Sequence, residues 1–149
     1  MAFIRVTKEF RFEAAHALKG YDGPCRNIHG HSYILSVTIG GQPITDKSSP
    51  KLGMVMDFGD LKAIIKDKLI DLFDHALVLS NDYPENEFNR AGEAFSKVIH
   101  VDYQPTSENI LLDFVGRIKP LLPANIRLIS MKLRETSTSF AEWVAEENN

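Results

Sequence analysis

Three of the five histidines in the chain are spaced so that they could bind one metal ion. His29 and His31 flank Gly30, and on an extended strand two residues that are two positions apart point the same way. His16 ends an earlier segment and would come alongside His31 if the two segments paired as antiparallel strands. Three neutral imidazoles around an open fourth position are the ligand set of a catalytic zinc ion. The pattern therefore predicts a zinc site at His16, His29 and His31, with His100 uninvolved.

The single cysteine, Cys25, stands four residues before His29 in the polar stretch 23–27. A free cysteine is commonly a small buried hydrophobe. In a polar loop, however, Arg26 and a nearby metal ion would both favour the thiolate, which makes Cys25 a candidate base. Both interpretations stay open on the sequence. A structural Cys–His zinc site is disfavoured, because such sites usually use more than one thiolate and leave no coordination position open.

Alternating apolar and polar residues predict the strands that would carry these side chains. In the first strand Phe10, Phe12, Ala14 and His16 share one face, while Arg11 and Glu13 share the other. The same period of two predicts further strands. These are residues 31–39, 126–134 and 140–145, with a possible short strand at 97–101.

Helical spacing of apolar residues predicts two helices. Asp57 is a suitable N-cap for a helix that runs to about residue 72, and Thr106 or Ser107 is suitable for a second helix. Residues 81–96 are polar and irregular, which predicts a loop. The order of elements predicts an α+β protein with a largely antiparallel sheet.

Length and composition are those of an ordinary globular protein. The chain has 149 residues, of which 44% are hydrophobic and 25% charged, and we expect one domain spanning residues 1–149. A formal charge of −3 argues against a nucleic-acid partner. No apolar run approaches the roughly 20 residues that cross a membrane, and one cysteine excludes an internal disulfide. The first five residues lack the apolar core of a signal peptide, so we expect a cytoplasmic protein.

Six motifs, in their order and spacing, resemble the 6-pyruvoyl-tetrahydropterin synthase family. The resemblance runs from about residue 8 to 144. The three residues between the cysteine and His-Gly-His resemble the bacterial 6-carboxy-tetrahydropterin synthase branch, which serves queuosine biosynthesis. The motifs are FEAAH (12–16), CRNIHGH (25–31), GMVMDF (53–58), DH (74–75), PTSEN (105–109) and RET (134–136).

The resemblance implies the tunnelling fold, a four-stranded antiparallel sheet with two helices on one face and the order ββααββ. It also implies a homo-oligomer, a trimer or hexamer, with active sites at subunit interfaces. The chain departs from the short bacterial members in two places. The segment 81–104 is longer than usual, and the tail after Thr136 is different.

The resemblance further implies a zinc-dependent lyase whose substrate is 7,8-dihydroneopterin triphosphate. The products would be 6-carboxy-5,6,7,8-tetrahydropterin, acetaldehyde and triphosphate. Two alternatives stay open. One is a 6-pyruvoyl-tetrahydropterin synthase that uses the same site and stops after triphosphate loss and internal redox. The other is a zinc-binding module without catalysis.

Catalytic roles are also implied by the resemblance. Glu135 would bind the pterin edge and take part in catalysis, and Thr106 would contribute to substrate binding. Cys25 would take a proton from the substrate side chain, while His75, tuned by Asp74, would transfer protons on the other face. On the residues alone, Asp74 and His75 are equally a helix-terminal pair, in which the imidazole suits the helix dipole. Glu108 is most simply a first-turn carboxylate and is left outside the site.

Overall fold

Six strands form one mixed sheet in the computed structural model, which describes residues 2–84 and 92–149. The strands lie in the order β4-β3-β1-β2-β5-β6. Their bounds are β1 Ile4–His16, β2 His29–Gly41, β3 Ala76–Ser80, β4 Val98–Val101, β5 Arg127–Thr136 and β6 Ser139–Val144.

The predicted antiparallel sheet of four strands is present, but the complete sheet has six strands rather than four. Strands β1, β2, β5 and β6 are the four predicted long strands and pair antiparallel, and β4 matches the short strand predicted at 97–101. Strands β3 and β4 extend the sheet beyond β1 by parallel pairing, so the order is ββαββαββ rather than ββααββ. Every residue of β3 is buried. A strand covered on both faces has no two-residue period, which is why the alternation did not reveal it.

The alternation predicted for β1 is confirmed. Its residues Phe10, Phe12, Ala14 and His16 are buried, and Arg11 and Glu13 are exposed. The register differs from the expectation by two residues. His16 lies opposite His29, and His31 lies opposite Ala14, because β2 begins at the first histidine of the pair.

Both helical segments pack on the same face of the sheet. Helix α1 (Phe58–Ile65) continues through a π-helical turn (Lys66–Ile70) into the short α2 (Asp71–Phe73), and α3 spans Ser107–Ile118. Asp57 caps α1 as predicted, since its carboxylate accepts a hydrogen bond from the Gly59 amide. The apolar residues of both segments join the strands in one core. From the helices these are Leu61, Ile65, Leu69, Phe73, Ile110, Leu111, Phe114, Val115 and Ile118.

The predicted loop 81–96 is only partly described, because residues 85–91 lie outside the described ranges. Its described parts hold a turn after β3 and a 3-10 turn at Gly92–Phe95. None of the helices within residues 2–84 and 92–149 has the length and apolar character that a bilayer crossing requires.

The N-cap of α3 leads to a first prediction. The hydroxyl of Thr106 accepts a hydrogen bond from the Asn109 amide at 3.2 Å. We expect Thr106→Ala to lower the free energy of unfolding by about 1 kcal/mol, measured by urea denaturation, because an amide at the helix start loses its partner. Thr106→Ser keeps the hydroxyl and is expected to stay near wild type. Equal losses in the two variants would contradict a capping role.

Candidate metal centre

Three imidazoles converge where β1 ends and β2 begins. The Nε2 atom of His16 lies 3.0 Å from Nε2 of His29 and 3.2 Å from Nε2 of His31. One nitrogen from each ring falls within 4.8 Å of the others, an arrangement that could hold a metal ion. The hairpin causes this convergence. The register places His16 opposite His29, and the pleat brings His31 to the same face two residues later.

Backbone carbonyls fix the orientation of two of these rings. Nδ1 of His16 donates to the carbonyl oxygen of Pro105 at 2.6 Å, and Nδ1 of His29 donates to that of Asn27 at 2.7 Å. A carbonyl oxygen only accepts, so each Nδ1 carries a proton, and in the neutral imidazole Nε2 then presents a lone pair. Such outer contacts are typical of metal-binding histidines.

The donor set fits zinc. Two lone pairs that face each other at 3.0 Å repel unless a proton or a cation lies between them. Zinc–nitrogen bonds of about 2.0–2.1 Å at tetrahedral angles place two ligand nitrogens about 3.3 Å apart, close to the spacings from His16. Burial lowers the pKa of His16 and that of His31, which favours the neutral imidazoles that a metal requires.

Glu135 joins this centre through a β-bulge. The pairing of β5 with β6 shifts between Arg134 and Thr136, which leaves Glu135 as the extra residue. Bulges often redirect a side chain next to a functional site. The Oε1 atom of Glu135 lies 3.1 Å from Nε2 of His31, so a carboxylate borders the candidate metal position.

Tyr33 is a neighbour of the centre that the sequence did not single out. Its ring is 1% exposed and packs edge-on against the ring of His31, with 5.5 Å between centroids. Its hydroxyl is buried and has no hydrogen-bond partner among the described residues. Burial, followed by the charge of Glu135, raises the pKa of Tyr33, so the hydroxyl keeps its proton. The signal for this residue was its position two residues after His31 on the same strand face.

Asp74 and His75 form a second cluster. Asp74 Oδ1 lies 3.0 Å from Nδ1 of His75 and accepts a hydrogen bond from the Glu13 amide at 2.9 Å. That hydrogen bond is the main cause of the lowered pKa of Asp74. His75 has φ of 61°, a left-handed conformation that a non-glycine residue holds only where its surroundings require it.

This second cluster borders a pocket that also touches one of the three histidines. His75 is exposed and lines an open pocket of about 300 Å³ together with Glu13, Ser32 and His31. Side chains of a strand alternate between faces, so Glu13 points away from the face that carries His16. No ring nitrogen of His75 belongs to the group of three imidazoles that could hold a metal ion.

The other predicted site residues lie near the end of the sheet that carries the three histidines. Cys25 is half-buried in the 3-10 turn Pro24–Arg26, within the loop that joins β1 to β2. Thr106 follows Pro105, whose carbonyl holds His16. Sequence spacing had not indicated the roles of the Pro105 and Asn27 carbonyls, because any residue can supply a carbonyl oxygen.

Known proteins resemble the chain over nearly its whole length. The family model described as 6-pyruvoyl tetrahydropterin synthase matches residues 5–146. A protein of Haemophilus influenzae named 6-carboxy-5,6,7,8-tetrahydropterin synthase is 38% identical over 142 residues, which cover 94% of this chain and 98% of that protein.

Two solved structures share the fold. The crystal structure of an uncharacterised protein from Wolinella succinogenes matches with a TM-score of 0.75 and 20% identity, covering 97% of this chain and 99% of that one. The 6-pyruvoyl tetrahydropterin synthase of Caenorhabditis elegans matches with a TM-score of 0.67 and 24% identity, covering 97% and 96%. These likenesses concern the fold alone, and they confirm the fold class expected from the motifs.

Proposed function

The chain belongs to the 6-pyruvoyl tetrahydropterin synthase family, and we propose that it is a zinc-dependent lyase of the 6-carboxytetrahydropterin synthase type. It would convert 7,8-dihydroneopterin triphosphate to 6-carboxy-5,6,7,8-tetrahydropterin, acetaldehyde and triphosphate, in the cytoplasm. One observation gives this proposal its main support. The Nε2 atoms of three histidines converge beside the carboxylate of Glu135, which lies 3.1 Å from His31. The name of the Haemophilus influenzae relative supports the choice of product.

The metal and the carboxylate of Glu135 would bind different parts of the substrate. His16, His29 and His31 would hold zinc, which when bound would polarise the side-chain oxygens of the substrate and make neighbouring protons easier to remove. Glu135 would accept hydrogen bonds from the amino group and the ring N–H of the pterin, a bidentate charge-assisted pair. Thr106, next to the carbonyl that orients His16, would contribute to substrate binding.

Proton transfer would depend on Cys25 and on the Asp74–His75 pair. Cys25 would take a proton from the substrate side chain, and His75 would move protons on the opposite side. Asp74 accepts a hydrogen bond from the Glu13 amide and contacts Nδ1 of His75. It would therefore hold the imidazole of His75 in a fixed orientation. His75 is outside the group of three imidazoles, and a complete site would combine His75 and these imidazoles at a contact between subunits. The family resemblance favours a homo-oligomer, a trimer or hexamer, with active sites at subunit contacts.

Glu135 gives a prediction about binding. We expect Glu135→Gln to weaken pterin affinity about 10- to 100-fold, since a charge-assisted bidentate pair becomes a single neutral acceptor. Zinc content should stay at the wild-type level, and some loss of turnover is allowed. Titration of a pterin against the zinc-loaded protein measures the affinity. Glu142→Gln, at an exposed position of β6, is the matched control. Equal affinities in the two variants would exclude Glu135 as the pterin anchor.

Product analysis tests the function. The zinc-loaded protein is incubated with 7,8-dihydroneopterin triphosphate, and the products are identified by mass spectrometry. We expect 6-carboxytetrahydropterin, acetaldehyde and triphosphate. A pyruvoyl product without acetaldehyde would identify a 6-pyruvoyl-tetrahydropterin synthase instead. Unchanged substrate at stoichiometric zinc would indicate a zinc-binding module without catalysis.

A further inference from the structure

The segment 81–104 is called here the insert, and the loop 17–28 is called the cysteine loop because it carries Cys25. Described residues on both sides of 85–91 contact the cysteine loop. The apolar part of this contact is a small second core outside the main one. Ala17, the first residue of the cysteine loop, is 1% exposed and clusters with Leu77 and Leu79 of β3. Tyr83 and Phe95 of the insert pack against this cluster. The described parts of the insert therefore cover the start of the cysteine loop.

Polar contacts fix the next part of the loop from both ends of the insert. The ammonium of Lys19 donates to the carbonyl of Asp82 at 2.6 Å and lies over the ring of Tyr83, 5.0 Å from its centroid. The side-chain amide of Gln104 donates to the carbonyl of Lys19 at 3.0 Å. Lys19 is thus held through its side chain by the beginning of the insert and through its backbone by the end.

A backbone hydrogen bond connects Cys25 to the residue that precedes Lys19. The amide of Leu18, the neighbour of Lys19, donates to the carbonyl of Cys25 at 2.9 Å. Gln104 is itself fixed, because its carbonyl accepts from the side chain of Asn109 in α3 at 3.0 Å. The same stretch of chain supplies the Pro105 carbonyl that orients His16. One segment therefore contacts both the cysteine loop and a metal-centre histidine.

We propose that Lys19 and Gln104 are positioning residues that hold the cysteine loop so that the Cys25 thiol keeps a fixed place relative to the metal centre. The proposal rests on the proposed role of Cys25 as the base. A base acts only at hydrogen-bond distance from the proton that it removes. A displacement of about 1 Å can cost up to about 10²-fold in rate, so contacts that add little stability still matter for turnover.

The test uses the full-length, zinc-loaded protein and the double variant Lys19→Met/Gln104→Leu, which keeps both side chains close to their size and removes their donors. We expect kcat to fall about tenfold, with KM within about twofold of wild type, since the metal and the pterin anchor are untouched. Zinc content should not change. The single variant Lys19→Arg keeps a cation over Tyr83 and should keep kcat near wild type. Lys62→Met, an exposed lysine on α1, is the control.

A second readout does not depend on turnover. Cys25 is the single cysteine of the chain, so alkylation by iodoacetamide reports on this thiol alone. We expect the double variant to be alkylated several-fold faster than wild type and Lys62→Met, because a released loop exposes the half-buried thiol. Wild-type rates of both turnover and alkylation in the double variant would overturn the proposal, as would a change confined to KM. If the wild-type protein shows no turnover, the proposed function fails, and the alkylation rates still decide whether these residues hold the loop.

Discussion

Cys25→Ala is expected to turn over about 10²–10⁴ times more slowly than wild type, which is the usual cost of removing a positioned acid or base. The variant should keep its zinc and still bind the pterin, because the three imidazoles and Glu135 do not depend on the thiol. Zinc content, pterin affinity and kcat are measured on the same preparation. A loss confined to kcat would separate chemistry from binding.

Cys25→Ser controls for the size of the side chain. It preserves the shape of the turn but replaces the thiol by a hydroxyl, which cannot supply the thiolate that the proposed base requires. We expect it to be almost as slow as Cys25→Ala. Wild-type turnover in Cys25→Ala would mean that Cys25 is only a small packing residue, and the proposed mechanism would be wrong.

His29→Ala is expected to reduce zinc from about one ion per chain to nearly none, because two imidazoles rarely hold zinc tightly. The ring of His29 is oriented by the Asn27 carbonyl, so its removal takes away a ligand that is already in place. Zinc is counted by elemental analysis after dialysis against a weak chelator. His100→Ala is the control, because His100 lies on β4 and outside the histidine group. Zinc retained in His29→Ala, or lost in His100→Ala, would contradict the assignment.

The elements with local signals could be predicted from the sequence. The alternation in β1 identified its buried face, because the pleat gives strand residues a fixed period. The caps at Asp57 and Thr106 followed from short side chains that accept from amides two or three residues later. Likewise, the grouping of His29 with His31 depends only on their spacing within one strand.

The features set by distant contacts could not be predicted in this way. The apolar run of β3 carries no period, so neither the strand nor its parallel pairing was visible. The bulge that redirects Glu135 depends on its pairing with β6. The carbonyl that orients His16 comes from Pro105, 89 residues further along the chain. The resemblance to a family identified Glu135, but only the structure shows how it reaches the metal centre.

All the proposed catalytic roles depend on one zinc ion that His16, His29 and His31 would hold. Crystals of the protein loaded with one equivalent of zinc, measured on both sides of the zinc absorption edge, locate the metal directly. We expect one anomalous peak per chain at about 2.0–2.1 Å from a ring nitrogen of each of the three histidines. A dominant peak at another position, such as Asp74 and His75, or no peak at the three histidines, would contradict the metal centre on which the proposed function depends.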